Sequence, residues 1–599
     1  MGRAGRIGIT ILFLIGAQLL LAENSASSVA SINDNRISAG QFTDGILNLH
    51  LELRRATWYP ESDTGVHKDV YAFAEEGRAP QVPGPLLRVP KGTVIHASLH
   101  NSLPEAAKVY GLHRHPGDAK DAIALAPGES REVQFEAGEP GTYFYWATAA
   151  NRSLDERTGA ETQLSGAFII DPAGVVSDDY IFVVNIFQPQ PPGRFPSING
   201  KSWPYTERVT AHLNKSLRWR VINVSSDTHA MHLHGFYFNV TGTGDGERYQ
   251  HYPDDQQRKA VTESLDIGHV FEMTWTPDRP GKWLFHCHML VHMSPEPVKD
   301  APPHAYSDSS HDHSVGMAGL VIGITVLSDA ESPKPAPTTA GLARKLQLVD
   351  PSQPSTRDAK KTPSLLGPPL VLTRGETTEI EVKNQASVPT TIHWHGIELE
   401  SYYDGVVGWT GSGQQTSPPV IPGTSFIARM TPPRAGTFIY HTHWHDGAQL
   451  LNGLYGPLIV LEPGEKYDPE HDITVVFSMG KYAPFGYLLL ANGHPQRDPI
   501  RLRTGTRYRL RLINITDNIS DLRVRLTSQS TPVQWKVIAK DGANLPAAQL
   551  KTSTADMPIT VGETYDVEYQ SATSGIVSLE AYVDPFPPVI LPLQFKDTE

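Results

Sequence analysis

The segment WLFHCHMLVHM (283–293) carries the only cysteine in a chain of 599 residues, Cys287, set between two histidines. Along a β-strand, residues i and i+2 share a face and residue i+1 points the other way. A strand here therefore projects His286 and His288 together and sends Cys287 to the opposite side. Three more clusters repeat the His-x-His spacing: HAMHLHG (229–235), HWHG (393–396) and HTH (441–443). The pairs His232/His234, His286/His288, His393/His395 and His441/His443 present their imidazoles in twos, a set suited to a multinuclear metal site. Cys287 with His229 and His292 makes a His₂Cys set, the ligand chemistry of a blue-copper centre, which normally adds a weak axial ligand. Zinc or nickel on surface histidines would account for neither the strand spacing nor the lone thiol. A single strand would then link the two sites through bonds.

The elements that must position these residues are visible as repeats. PDRPGKWLFHCH (277–288) is similar to PPRAGTFIYHTH (432–443), and both are similar to AGEPGTYFYWAT (137–148). Each is a Pro/Gly turn leading into an apolar, aromatic strand. LRWRVINVSSDTHAMHLHG (217–235) pairs with YRLRLINITDNISDLRVRL (508–526), and PGPLLRVPKGT (83–93) with LGPPLVLTRGE (366–376). Short alternating strands closed by such turns predict an all-β chain of β-sandwiches. The repeats alternate A-B-A-B and predict four domains, at about 45–172, 177–327, 342–463 and 468–597. A Pro/Ser/Thr/Lys-rich linker, 328–341, separates the second from the third.

Composition agrees with this class. Gly (50) and Pro (49) are abundant, as turn-rich β proteins require. Lys+Arg 51 against Asp+Glu 64 gives a net charge of −13, without the basic footprint of a nucleic-acid binder. At the amino terminus, Arg3 and Arg6 precede an apolar run from Ile7 to Leu21. This reads as a secretory signal peptide, residues 1–22, too short in its apolar part for a membrane span. Export is expected, with no span in the mature chain. One cysteine forms no disulfide within the chain, so Cys287 is either an inert buried thiol or a ligand.

With these motifs the sequence resembles the multicopper oxidases, the family of laccases, ascorbate oxidase and ceruloplasmin. The resemblance covers nearly all of the mature chain and implies cupredoxin-like Greek-key sandwiches in two A-B pairs. It implies four coppers per chain. His229, Cys287 and His292 would hold the type 1 copper, and His232 and His393 the type 2 copper. His234, His286, His288, His395, His441 and His443 would hold the type 3 pair. Cys287 would collect electrons from a small reducing substrate, phenolic or a metal ion, and its histidine neighbours would deliver them to O₂. A copper-sequestering or electron-carrier protein without turnover is the competing reading, and an oligomer sharing the site between chains is a competing assembly.

The pattern departs from the three-domain members of that family. Their HWHG and HxH motifs come first, whereas here they follow the HxxHxH and HCH motifs. The first and fourth domains read as emptied copies: Tyr110, Leu112, Trp146 and Thr148 fall at the positions of His393, His395, His441 and His443. In the fourth, Arg523 and Arg525 align with His232 and His234, and Glu580, Ala581 and Tyr582 with His286, Cys287 and His288. Pro297 occupies the usual axial position, so Met317, beyond an insertion, is assigned as axial ligand, with Met293 as the fallback. Asp404, nine residues after His395, matches the family's acidic proton donor. Met293 stands where many bacterial members have a second acid, which Glu296 would then replace. In the insertion 296–314, His304, Asp308, His311, Asp312 and His313 read as a solvated loop rather than a metal site.

Overall fold

The computed structural model describes residues 28–118, 121–175, 178–188, 193–293, 317–328, 344–348, 366–413, 415–443, 446–482, 486–495 and 498–597. The expected signal peptide, nearly all of the linker, and the insertion with Glu296, His304, Asp308, His311, Asp312 and His313 lie outside them. The described chain is almost entirely β, in eight sheets that fall in four successive pairs. The first pair is built between Ser28 and Asp171, the second between Asp179 and Leu327, the third between Arg344 and Leu461, and the fourth between Asp472 and Lys596.

The same local device recurs in all four units. A buried asparagine ends a strand and turns the chain: Asn101, Asn223, Asn384 and Asn514 each accept, through Oδ1, the main-chain N–H two residues on, at 2.8–3.1 Å. Each amide then donates to a carbonyl across the sandwich, Leu125, Leu265, Val420 and Ile559 respectively. Asparagine is suited to this role because its side chain imitates a turn of backbone.

The Pro/Gly turns have a second purpose. A side chain on Gly141 would strike Tyr249 of the second unit, one on Gly281 would strike Ser401 of the third, and one on Gly436 would strike Gly542 of the fourth. Each repeat thus abuts its successor through a glycine that permits close approach. Gly575, the corresponding glycine of the fourth unit, meets nothing within 4 Å.

The second and third units are joined most intimately. Strand Gly281–Cys287 pairs at Lys282 with Gly411 of the third unit, and Trp409 donates to the Trp283 carbonyl at 3.0 Å. One apolar core runs through both, from Trp219, Trp275 and Phe285 to Ile380, Trp394 and Phe438. The outer units have cores of their own around Leu49, Tyr145 and Phe168, and around Leu512, Trp535 and Leu591.

Candidate metal centre

Antiparallel pairing carries the His-x-His spacing into three dimensions. In the second unit His229–Leu233 lies beside Gly281–Cys287, with His232 opposite His286 and Met231 opposite Cys287. In the third unit Ile392–His395 lies beside Gly436–Thr442, with His393 opposite His441. The two histidine-bearing faces meet at the junction of the units, within one chain. All eight histidines of the four pairs are at most 3% exposed.

They converge in three groups whose ligand atoms lie within 4.8 Å of one another: His232/His234/His393, His234/His286/His443 and His288/His395/His441. The Nε2 atoms of His234 and His286 are 2.9 Å apart, those of His288 and His441 3.3 Å, and those of His232 and His393 3.4 Å. The outer nitrogens explain the orientation. His232, His286, His393 and His441 donate from Nδ1 to the carbonyls of Val261, Cys287, Asp404 and Thr442 at 2.7–2.9 Å. A carbonyl only accepts, so the proton sits on Nδ1 and Nε2 is left bare. His395 is set the other way round, with Nε2 3.2 Å from Thr262 Oγ1 and Nδ1 without a hydrogen-bond partner. His288 Nδ1 and both His443 nitrogens are also without one.

Electrostatics point the same way. Burial, and then the neighbouring imidazoles, push His232, His234, His288, His395 and His443 far below the usual histidine range. Burial takes His286 down to about 4 and His441 to about 3. These seven imidazoles are therefore neutral at pH 7, and bare nitrogens of the cluster face each other at about 3 Å. Lone pairs so placed repel unless a cation lies between them, and neutral imidazole is the metal-binding form. The residues fit a multinuclear metal site.

On the opposite face of the strand, Cys287 Sγ lies 3.7 Å from His229 Nδ1 and 3.4 Å from His292 Nδ1, and those two nitrogens are 3.1 Å apart. The far nitrogens are held by Ser225 Oγ at 2.8 Å from His229 Nε2 and by Asp227 Oδ2 at 3.1 Å from His292 Nε2. Burial pushes the Cys287 thiol up to about 12, so without a metal it stays protonated. A metal cation would supply the charge that makes thiolate stable there. Met317 is half-buried with Met293 among Leu284, Leu290 and Val321, while Cys287 packs with Met231 and Met289. The chain returns from the insertion against the last ligand, since Leu320 N donates to the His292 carbonyl at 3.0 Å and Ala318 N to that of Met293 at 2.7 Å.

Asp404 is fully buried between the two units. Its Oδ2 accepts from His234 Nδ1 at 2.7 Å, its carbonyl accepts from His393, and its Oδ1 lies 3.3 Å from His393 Nδ1. Motif reading missed Asp227, Ser225 and Thr262. The first two were within reach of it, being two and four residues before His229. Thr262 was not, because it touches His232 and His395 only through the fold. Gly562 was missed as well: this fourth-unit glycine packs so closely on His288 and His395 that a Cβ would come within 3.1 Å of each ring.

The aligned positions of the outer units hold no such set. Tyr110 stacks on Trp146 with ring centroids 4.3 Å apart, Leu112 is buried, and Thr148 donates to Glu161 at 2.8 Å. In the fourth unit Arg523 pairs with Asp556 and Arg525 with Glu580. Here the structure corrects the ungapped alignment by two residues. Arg525, not Arg523, faces Glu580, as His232 faces His286. A shift of two preserves which face each side chain takes, so the pattern alone could not reveal it.

An all-β chain whose paired sheets carry a His₂Cys set back to back with an eight-imidazole cluster belongs to a copper-dependent class. Two family models, each described as multicopper oxidase, match it over residues 179–297 and over 67–174 and 361–465, together more than half of the chain. The chain belongs to the multicopper oxidase family, which implies copper as its metal. It is 29% identical over 220 residues to a probable nitrite reductase–hydroxylamine oxidoreductase fusion protein of Kuenenia stuttgartiensis, covering 32% of this chain and 25% of that one. It is 31% identical over 177 residues to laccase-2 of Fomitopsis schrenkii, covering 25% and 32%. Among solved structures, the blue copper oxidase from Nitrosomonas europaea matches 47% of this chain and 85% of its own, at 21% identity and a TM-score of 0.36. The match spans a quarter to a third of these curated relatives' length. No helix among the described residues is long and apolar enough to cross a membrane.

Proposed function

We propose that this protein is an exported four-domain multicopper oxidase. It couples one-electron oxidation of a phenol, an aromatic amine or a low-valent metal ion to the four-electron reduction of O₂ to water. In this reading His229, Cys287, His292 and axial Met317 hold the type 1 copper, and His232 and His393 the type 2 copper. The type 3 pair is divided between His234/His286/His443 and His288/His395/His441. The domains are those delimited above, with the outer two serving as scaffold.

Copper in these ligand sets supplies the one-electron steps on the Cys287 side and the reduction of O₂ on the histidine side. The protein's own residues do the rest. Cys287 is bonded through the main chain to His286 and His288, so an electron arriving at sulfur needs no jump through space to reach the cluster. Asp227, one-third exposed and in contact with His292 Nε2, joins the His₂Cys set to the surface and marks where a reducing substrate would dock. Asp404 sets a carboxyl group beside His234 and His393 that would relay protons to where O₂ reduction consumes them.

The observation that carries this reading is that Cys287 belongs to one metal-ligand group while His286 and His288, its immediate neighbours, belong to two of the three histidine groups. Copper analysis, visible absorption and oxygen uptake with a phenol or Fe²⁺ test it. About four coppers per chain, a blue band and donor-dependent oxygen consumption are expected. Full copper loading without oxygen consumption would instead establish a copper store or carrier.

A further inference from the structure

A fifth group of metal-ligating atoms lies outside the site described above, between the first and second units. His113 and His115 stand on the turn that follows strand Ala107–Tyr110, and Glu247 stands on the turn between Phe238–Gly244 and Tyr249–His251. His113 Nε2 is 3.3 Å from Glu247 Oε2, His115 Nδ1 is 3.7 Å from the same oxygen, and all three atoms lie within 4.8 Å of one another. None of the three makes a hydrogen bond, although each atom is buried. A tetrahedral ion with bonds of about 2.0–2.1 Å needs ligand atoms roughly 3.3–3.4 Å apart, close to the two histidine–glutamate distances of 3.3 and 3.7 Å.

The outer nitrogens are tied down as metal-ligating histidines usually are. His113 Nδ1 lies 3.1 Å from the Arg114 carbonyl, and His115 Nε2 lies 3.2 Å from the Gly111 carbonyl. In the neutral rings each carbonyl takes the one proton and both bare nitrogens face Glu247, whose carboxylate opposes the effect of burial and raises His113. The scaffold is rigid. The His115 side chain is fully buried and stacks on Tyr143 at 4.2 Å, and a Cβ on Gly138 would overlap the His115 carbonyl. Burial, followed by His113, takes His115 down to about 4, keeping it neutral. The Glu247 turn is fixed by Asp245 Oδ1, which accepts from the main-chain N–H of Glu247 and Arg248 at 3.1 and 2.8 Å. The group touches solvent, with 15% of the His113 and 19% of the Glu247 side chain exposed. An ion can therefore enter and keep a water as its fourth ligand.

We propose that His113, His115 and Glu247 form a separate site for a divalent ion of the zinc type, which clips the first unit to the second. The site does not rest on the oxidase reading, since no residue of the copper cluster takes part. The test uses the copper-loaded protein, titrated with Zn²⁺ by calorimetry and by thermal denaturation. One Zn²⁺ per chain should bind without displacing copper and raise the melting temperature. Zinc X-ray absorption should report two imidazoles and one carboxylate. Glu247→Gln and His113→Gln, both at partly exposed positions, should each weaken zinc binding at least tenfold while leaving the copper content and blue band unchanged. Either variant binding Zn²⁺ as tightly as the parent, or a parent that takes up no Zn²⁺ beyond its copper, would overturn the proposal.

Discussion

The carboxylate of Asp404, contributed by the third unit, accepts a 2.7 Å hydrogen bond from His234 Nδ1 of the second, across 170 positions of sequence. That one contact turns the bare Nε2 of His234 toward His286 and His443 and sets a buried acid at the edge of the cluster. Changing Asp404 to Asn keeps the shape and removes the titratable group. Copper content and reduction of the type 1 site by substrate should survive, while reoxidation by O₂ should slow about 10–100-fold. The defect should deepen as pH rises and protons become scarce. Stopped-flow measurement of the two half-reactions checks this, and an unchanged reoxidation rate across pH would remove Asp404 from the reaction.

Cys287→Ser should abolish the blue band and oxidase turnover while most of the copper of the eight-histidine cluster stays bound. In the copper-free parent, the fully buried thiol, pushed up to about 12, should resist thiol reagents at pH 8 until the protein is unfolded. Rapid labelling of the folded copper-free chain would contradict the packing around the strand.

The copper-free protein should be sensitive to acid. His286, at about 4, and His441, at about 3, bind protons less readily when folded than a free imidazole near 6.5. The unfolded chain therefore takes up more protons below that value. Stability is fully present above about pH 6.5 and falls as pH drops toward 3–4, by roughly 3 kcal/mol or more per imidazole. Denaturant titrations from pH 7.5 to 4.5 should record the loss. Copper should suppress it, because bound metal excludes the proton.

Asp227→Asn tests the proposed substrate entrance. His292 Nε2 keeps a partner but loses a charged one, so the blue band should persist. The value of kcat/KM for the reducing substrate should fall about tenfold, with the O₂ half-reaction unaltered. A variant with parental kinetics toward both a phenol and Fe²⁺ would move the docking site elsewhere.

Trp146→Phe tests the scaffold role of the first unit. Trp146 stacks on Tyr110 and lies 5.1 Å beneath the buried Arg157 guanidinium. The smaller ring should cost about 1–2 kcal/mol through lost packing and cation–π contact. Copper stoichiometry should not change, and metal analysis beside thermal denaturation separates the two effects.

The sequence by itself determined the chemistry of the copper face. Side-chain alternation along a strand is a local property of the backbone, so His-x-His and His-Cys-His could be read without any knowledge of the fold. The sandwich class was equally legible, because Pro/Gly turns before aromatic strands recur in the same order. What only the tertiary structure decided are the meetings of distant residues: the sorting of imidazoles into three groups, Asp404 against His234, Thr262 against His395, and Gly562 against His288. The two-residue offset in the fourth unit was invisible for a related reason, since a shift by two changes partners without changing faces. His113 and His115 belong to none of the four histidine clusters that the sequence marks. They acquire a meaning only when Glu247, 132 positions beyond His115, is folded against them, and no periodicity encodes a contact that two separate turns make in space.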